Sequence, residues 1–400
     1  MKYVVILGDG MSDEPIEQLN NMTPMDVAKT PMMDELASKG EIGIVQTIPE
    51  GMKPGSDTAN LSVLGYDPQQ YYTGRSPLEA LSIGVDMVDS DVAIRCNIVT
   101  LSEDEPNYED RIMIDHSADE ISTEEATTLL DAIKSEFTND EFQFYLGTSY
   151  RHLAIWKDGE VREFAQPHDI LEQKITKYLP DNDKFLQMQK RSYEILKNHP
   201  VNQARRAKGL NPANSLWFWG AGTKPALDLF EDKYGKRGAM ISAVDLLKGI
   251  AVGAGLHNII VEGANGGLHT NYEGKARFAV EAVVKDGFDF VYVHVEAPDE
   301  MGHQGSIEKK IKAIEYIDER VIKLVKEGLD ASGEDYRMII LPDHPTPVRL
   351  RTHTSDAVPY LLYDNTNIKN HSWKYNEREA IASGNKYDSG CALMEYFVRK

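Results

Sequence analysis

The chain has 400 residues, 41% apolar and 27% charged, ordinary proportions for a globular protein and enough for two domains or one large one carrying an insertion. Its formal net charge of −21, from 43 basic and 64 acidic residues, lacks the basic footprint of a general nucleic-acid binder, although a local group of cations can still hold a small anion. No apolar run approaches the roughly 20 residues of a membrane span. The one at the N-terminus is too short for a signal peptide. The two cysteines, Cys96 and Cys391, form no CxxC, so a reducing cytoplasm is expected.

The chain opens on a predicted strand, 3–7, that ends in Gly8-Asp9-Gly10. A helix is predicted over 31–39, with Thr30 as N-cap and Pro31 at the first helical position. A strand follows at 42–47. Pro54-Gly55-Ser56-Asp57-Thr58 then reads as a turn feeding a helix. From about Asp86 to Arg206 the chain is acidic and loses clean β-α alternation. A helix over 123–137 and paired strands near 142–146 and 152–156 suggest an inserted α+β domain. Alternation resumes afterwards. A strand at 290–295 ends at Glu296-Ala297-Pro298-Asp299, a helix spans 307–325, a strand at 337–341 ends at Pro342-Asp343-His344, and a short strand covers 359–363. Continuous apolar strands separated by helices indicate an α/β core with a mainly parallel sheet flanked by helices. The expected organisation is a core from 1–85 and 207–400, with the inserted domain at 86–206.

In open α/β sheets, function gathers at the carboxyl ends of strands. Three strands here end in carboxylates: Asp9, Asp299 and Asp343. Asp299 and His303 lie one helical turn apart, His344 adjoins Asp343, and His353 follows. Taken singly, such an Asp is more often a cap or turn former, and a lone His a surface or core residue. Their co-occurrence in one frame indicates a metal site for Mg, Mn, Zn or Co. Ser56, at a predicted helix start, would meet backbone N–H groups suited to a phosphate, and a metal contact would activate its hydroxyl as a nucleophile. Ser is also a favoured N-cap whatever its role. There is no P-loop, dinucleotide fingerprint, H-E-x-x-H or G-x-S-x-G.

The stretches ILGDGMSD, PGSDTANLSVLGYDP, YTGRSPLEA, DVAIRCN, SYRHL, RGAMISAVDLLKGIAVGAG, GLHTNYEGKA, HVEAPDEMGHQG and PDHPTPVRLRTHTSDAVP resemble the cofactor-independent phosphoglycerate mutases of the archaeal-type branch, in the alkaline-phosphatase superfamily. The resemblance covers nearly the whole chain. It implies an alkaline-phosphatase-like core, two divalent ions and no 2,3-bisphosphoglycerate. One ion would be held by Asp299, His303 and His353, the other by Asp9, Ser56, Asp343 and His344, with Ser56 as phosphoacceptor. Family-like substrate positions are Arg75, Arg95, Arg151, His152 and Lys275, each of which could equally be a structural or surface charge. Arg205, Arg206 and the 217–220 run carry weaker signals, and His116 is either a proton-transfer group or a surface residue. The implied reaction takes phosphate from 3-phosphoglycerate onto Ser56 and returns it to the 2-hydroxyl of bound glycerate, with the insert closing over the sugar acid to exclude water. The alternatives are a homoserine-kinase-like phosphotransferase and a metal-dependent phosphatase. A binding protein that has kept the fold is a further reading, opposed by the complete ligand set. The expected partner is a small phosphorylated molecule, with no nucleic acid or membrane.

Overall fold

The computed structural model describes residues 1–399. They form two compact units, one from 1–72 with the described residues from 226 onward and the other from 73–225.

The first unit is built on an eight-stranded sheet. Its order is Lys386–Tyr387, Glu41–Val45, Val358–Asp364, Tyr336–Leu341, Lys2–Gly8, Phe290–Val295, Gly238–Ile241 and His257–Asn258. Lys2–Gly8 lies parallel between Tyr336–Leu341 and Phe290–Val295, and Phe290–Val295 lies parallel to Gly238–Ile241. These strands read as apolar runs because helices cover both faces: every residue of Phe290–Val295 and of Tyr336–Leu341 is buried. Val358–Asp364 departs from the parallel pattern, pairing antiparallel with both of its neighbours.

Register brings the strand ends together. Gly8 pairs with Val295, and Leu7 with Leu341. The segments that leave these strands, carrying Asp9, Asp299 and Asp343, therefore emerge on the same edge of the sheet.

The helix Pro31–Lys39 begins as predicted, with Pro31 at its first position, but the Thr30 side chain makes no cap bond. Its orphan donors are met from afar. The Asp318 carboxylate accepts from the Met32 and Met33 amides at 3.2 and 2.6 Å. Asp318 opens a π-helical turn, Asp318–Ile322, between Ile307–Ile317 and Lys323–Ser332, so the helical stretch runs past the predicted end at 325.

The second unit centres on Val92–Leu101, whose ten residues are all buried. This strand pairs antiparallel with Met113–Asp115, Arg151–Trp156 and Ser215–Thr223, and Phe142–Tyr145 extends the sheet beyond Arg151–Trp156. The helix Thr123–Phe137 spans the predicted residues. With Asp183–Leu196 it supplies apolar residues to a core around Phe142, Trp156, Phe185 and Phe218. The unit extends beyond the 86–206 read from sequence at both ends. The helix Arg75–Ser82 precedes those limits, and the strand Ser215–Thr223 that pairs with Val92–Leu101 follows them. Trp217 and Trp219 belong to a buried cluster of this unit.

Candidate active site

Asp9 follows the first strand directly, and its amide donates to the Val295 carbonyl at 3.0 Å. Gly10 comes next with φ +61, a left-handed conformation that favours glycine. A Cβ there would stand 2.4 Å from Thr346 Oγ1 and 2.7 Å from Asp299 Oδ1. The close approach lets the first loop nest against the other two.

Ser56 is the first residue of the helix Ser56–Val63, with Gly55 at the N-cap. Its hydroxyl lies 3.1 Å from His344 Nε2 and 3.4 Å from Asp9 Oδ2. One turn on, the Asn60 amide donates to the Ser56 carbonyl at 2.8 Å and to Asp343 Oδ2 at 2.9 Å. Asn60 Oδ1 in turn accepts from the Tyr292 hydroxyl at 2.6 Å. The helix is thereby tied to the sheet through buried polar groups.

The short helix Ala297–His303 carries Asp299 and His303 on one face. His303 Nε2 lies 3.2 Å from Asp299 Oδ2 and 3.0 Å from His353 Nε2, and His353 Nε2 lies 3.4 Å from Asp299 Oδ1. The Arg351 carbonyl, which can only accept, sits 2.9 Å from His303 Nδ1. That assigns a proton to Nδ1 and turns Nε2 towards the cluster. Thr346 treats His344 similarly. Its hydroxyl donates to Asp299 Oδ1 at 2.5 Å and accepts from His344 Nδ1 at 3.3 Å, so His344 also presents Nε2 to the cluster.

All seven residues anticipated as ligands are thus brought together. Two groups have donor atoms within 4.8 Å of one another: Asp9, Asp343 and His344, and Asp299, His344 and His353. His344 belongs to both, while His303 flanks the second.

The electrostatics show what such a cluster lacks. Burial pushes the Asp9 carboxyl well above its usual range, with the like charges of Asp343 and Asp299 pushing the same way. Burial acts upward on Asp299 too, but hydrogen bonds from His303 and His353 outweigh it and hold that carboxyl well below the ordinary value. His303, bonded to Asp299, is raised to about 9. Asp9 Oδ1 is buried and has no hydrogen-bond partner. An orphaned carboxylate oxygen beside a second carboxylate and an inward-facing imidazole is a hard, anionic donor set, and it fits a divalent cation.

The remaining candidates divide between the units. Lys275, in the first unit, is buried, donates to the His294 carbonyl at 2.7 Å and is lowered to about 8 by burial. Arg75, Arg95, Arg151 and His152 lie in the second unit. Arg95 is buried over the Trp219 ring, and its Nε and Nη2 donate to Glu79 at 2.8 and 2.5 Å. The exposed Arg75 donates to the same carboxylate at 3.2 Å. Arg151 pairs across the sheet with Asn97, two residues from Arg95, so both guanidinium groups leave the same face. His152 pairs with Cys96 and points to the opposite, apolar face, where burial lowers it to about 3. Arg205 serves the unit's own packing, donating to Glu125 and to the carbonyls of Ala118 and Asn211. His116 packs at a tilt against His168, 4.3 Å between centroids, and His168 in turn meets Trp219 in an edge-to-face contact.

Sequence reasoning missed Thr346, Asn60, Tyr292 and His294. Each lies in or beside a segment singled out above, but no spacing rule marks them, because their partners come from other strands.

A mainly parallel sheet whose carboxyl edge gathers carboxylates, imidazoles and a helix-borne serine has the groups that metal-assisted phosphoryl transfer requires. Residues 37–202 match the family model for 2,3-bisphosphoglycerate-independent phosphoglycerate mutase. The chain is 48% identical to a probable mutase of that description from Geobacter sulfurreducens, over 100% of both chains. It is 46% identical to the mutase of Methanosarcina mazei, over 96% of each. Among solved structures, it superposes on a Pyrococcus horikoshii protein with TM-score 0.81 and 30% identity, covering 99% of this chain and 96% of the other. The cofactor-independent phosphoglycerate mutase of Thermoplasma acidophilum gives TM-score 0.65 and 26% identity, with 99% of each chain covered. The chain belongs to the 2,3-bisphosphoglycerate-independent phosphoglycerate mutase family.

Proposed function

We propose that this chain interconverts 3-phosphoglycerate and 2-phosphoglycerate by passing phosphate through Ser56. The observation that carries the reading is the Ser56 hydroxyl, held 3.1 Å from His344 Nε2 and 3.4 Å from Asp9 Oδ2 at a helix start. Family membership supplies the substrate class.

Two divalent ions are proposed, one with Asp9, Ser56, Asp343 and His344, the other with Asp299, His303 and His353. Bound there, they would polarise phosphoryl oxygens and favour the serine alkoxide. The protein's own groups do the rest. The Ser56 helix aims amide N–H groups at incoming phosphate. Asn60 holds that helix turn against Asp343, fixing the nucleophile's distance from the ligands. Ser56 takes the phosphoryl group, leaving glycerate, and the 2-hydroxyl of the same glycerate then receives it. Arg75, Arg95 and Arg151 are the proposed substrate residues, since guanidinium groups suit both a phosphate and a carboxylate, and Lys275 is proposed as a further cationic contact; His152, buried on the opposite, apolar face of its sheet, is left out of the set. No 2,3-bisphosphoglycerate enters this scheme, because the serine itself carries the phosphate. Among the described residues no helix is long and apolar enough to cross a membrane. Two free cysteines, one of them buried, support a cytoplasmic setting.

The test is conversion of 3-phosphoglycerate to 2-phosphoglycerate with Mn and without bisphosphoglycerate, in wild type and in Ser56→Ala. Robust conversion, lost in Ser56→Ala, is expected. Phosphohomoserine formation from ATP and homoserine, with no mutase activity under several metals, would overturn the reading, as would phosphate release alone.

A further inference from the structure

His294 lies at the centre of the first unit, in the strand Phe290–Val295, and is fully buried. Its Nε2 is 2.8 Å from Asp9 Oδ2, and its Nδ1 is 3.2 Å from Ser242 Oγ. Ser242 follows the adjacent strand Gly238–Ile241, and its oxygen accepts from the Val244 amide at 3.0 Å.

Proton bookkeeping gives this chain a direction. The Val244 N–H takes one lone pair of the Ser242 oxygen, and the hydroxyl proton is free to rotate towards His294 Nδ1, the direction that the Asp9 carboxylate on the other side of the ring selects. Nδ1 is then the acceptor, so Nε2 carries the ring proton and donates it to Asp9 Oδ2. With Asp9 ionised, as a cation ligand must be, the reverse arrangement would set the Nε2 lone pair against a carboxylate oxygen. One oxygen of Asp9 is thereby committed to the protein, and the other, Oδ1, is left buried without a partner, 3.6 Å from His344 Nε2. The His294 backbone is held too, since its carbonyl accepts from the buried Lys275 ammonium.

We infer that Ser242 and His294 form a positioning relay that locks the Asp9 carboxylate, through its Oδ2, in the orientation that offers Oδ1 to a divalent cation. His294 does not touch the cation or the substrate; it sets one ligand's rotation and its hydrogen-bonding partner. Outer-sphere groups of this kind typically change metal affinity by about 10–100-fold when removed. The inference rests on the metal site proposed above.

Two measurements separate the inference from that reading. The first needs no metal: long-range proton–nitrogen spectra of metal-free, histidine-labelled protein, with the His294 signals assigned by their loss in His294→Leu. The Nε2–H tautomer is expected in wild type, and Ser242→Ala, which barely alters core volume, should shift the signals towards a tautomer mixture. An Nδ1–H tautomer in wild type would overturn the relay. The second is calorimetric titration with Mn. Wild type should bind two ions, and His294→Leu should weaken one of them by about 10–100-fold while leaving the other within about twofold. Ser242→Ala should weaken the same ion less, and His294→Gln, which keeps an N–H donor, should recover part of the loss. Wild-type affinities for both ions in His294→Leu and in Ser242→Ala would overturn the positioning role. Failure of wild type to bind any divalent ion would instead overturn the metal reading, with the tautomer result judging the relay's geometry separately.

Discussion

Lys310 is an unusual residue to find wholly buried, and replacing it tests how the catalytic loops are held. It projects from the helix Ile307–Ile317, and its ammonium donates to the Ser12 carbonyl at 3.0 Å, the Thr346 carbonyl at 2.8 Å and Asp13 Oδ2 at 2.8 Å. It therefore joins the loop that follows Asp9 to the loop that follows His344. Both partners of the ion pair are buried, with side-chain exposures of 0% and 1%. In Lys310→Met the stem remains but the charge goes. Asp13 keeps its bonds from the Val348 and Glu14 amides, yet is left as a buried, uncompensated carboxylate. Breaking one side of such a pair costs about 3–5 kcal/mol. For a unit of this size each kcal/mol moves the melting temperature by about 2–4 °C, so a fall of about 6–20 °C is expected in metal-free protein. Thermal melts of wild type, Lys310→Met, Asp13→Asn and the double variant complete a cycle. A coupling of about 1–3 kcal/mol is expected, the double variant being less damaged than the sum of the singles. A Lys310→Met loss below about 1 kcal/mol, with additive singles, would refute the claim that this pair clamps the loops.

Three further outcomes follow from the same geometry. Gly10→Ala should lower both melting temperature and Mn affinity, because φ +61 disfavours an L side chain by roughly 1–2 kcal/mol before its Cβ meets Thr346 and Asp299; unchanged calorimetry would contradict the close approach. Thr346→Val, which exchanges the hydroxyl for a methyl, should weaken Mn binding by about 10–100-fold, whereas Thr346→Ser should not; equal affinities in the two variants would show that the bonds to Asp299 and His344 are idle. Glu377, which accepts from the Asp13 amide and the Thr23 hydroxyl, is raised from 4.5 to about 7 by burial. The native state then holds this proton more tightly than the unfolded state does. Its contribution to stability is full below pH 4.5 and is lost as pH rises through about 7, so melting temperatures recorded from pH 5 to 8 should fall less steeply in Glu377→Gln.

The clustering of the proposed ligand residues was legible because each belongs to a local pattern. A parallel strand buried on both faces shows as an apolar run, the residue after it lies at the functional edge, and Asp9, Asp299 and Asp343 each follow such a run. D-x-x-x-H likewise puts Asp299 and His303 on one helical face without reference to the rest of the molecule. The helix Pro31–Lys39 announced itself through Pro31, but its cap did not: Asp318 reaches its amides from a π turn nearly three hundred residues away in sequence. The limits of the second unit were hidden for a similar reason. Ser215–Thr223 is marked as belonging to it by its pairing with Val92–Leu101, a relation no local period encodes. Sheet parity alone separated His152 from Arg95 and Arg151, although all three looked alike as basic residues in a family-like segment.

The sequence by itself determined which residue types stand at the strand ends, and so the chemistry they can perform. Tertiary structure decided which of their atoms face one another. His294, Thr346, Asn60 and Lys310 act on partners brought in by strand register and helix packing. Their roles rest on single lone pairs and protons whose directions exist only once the chain is folded.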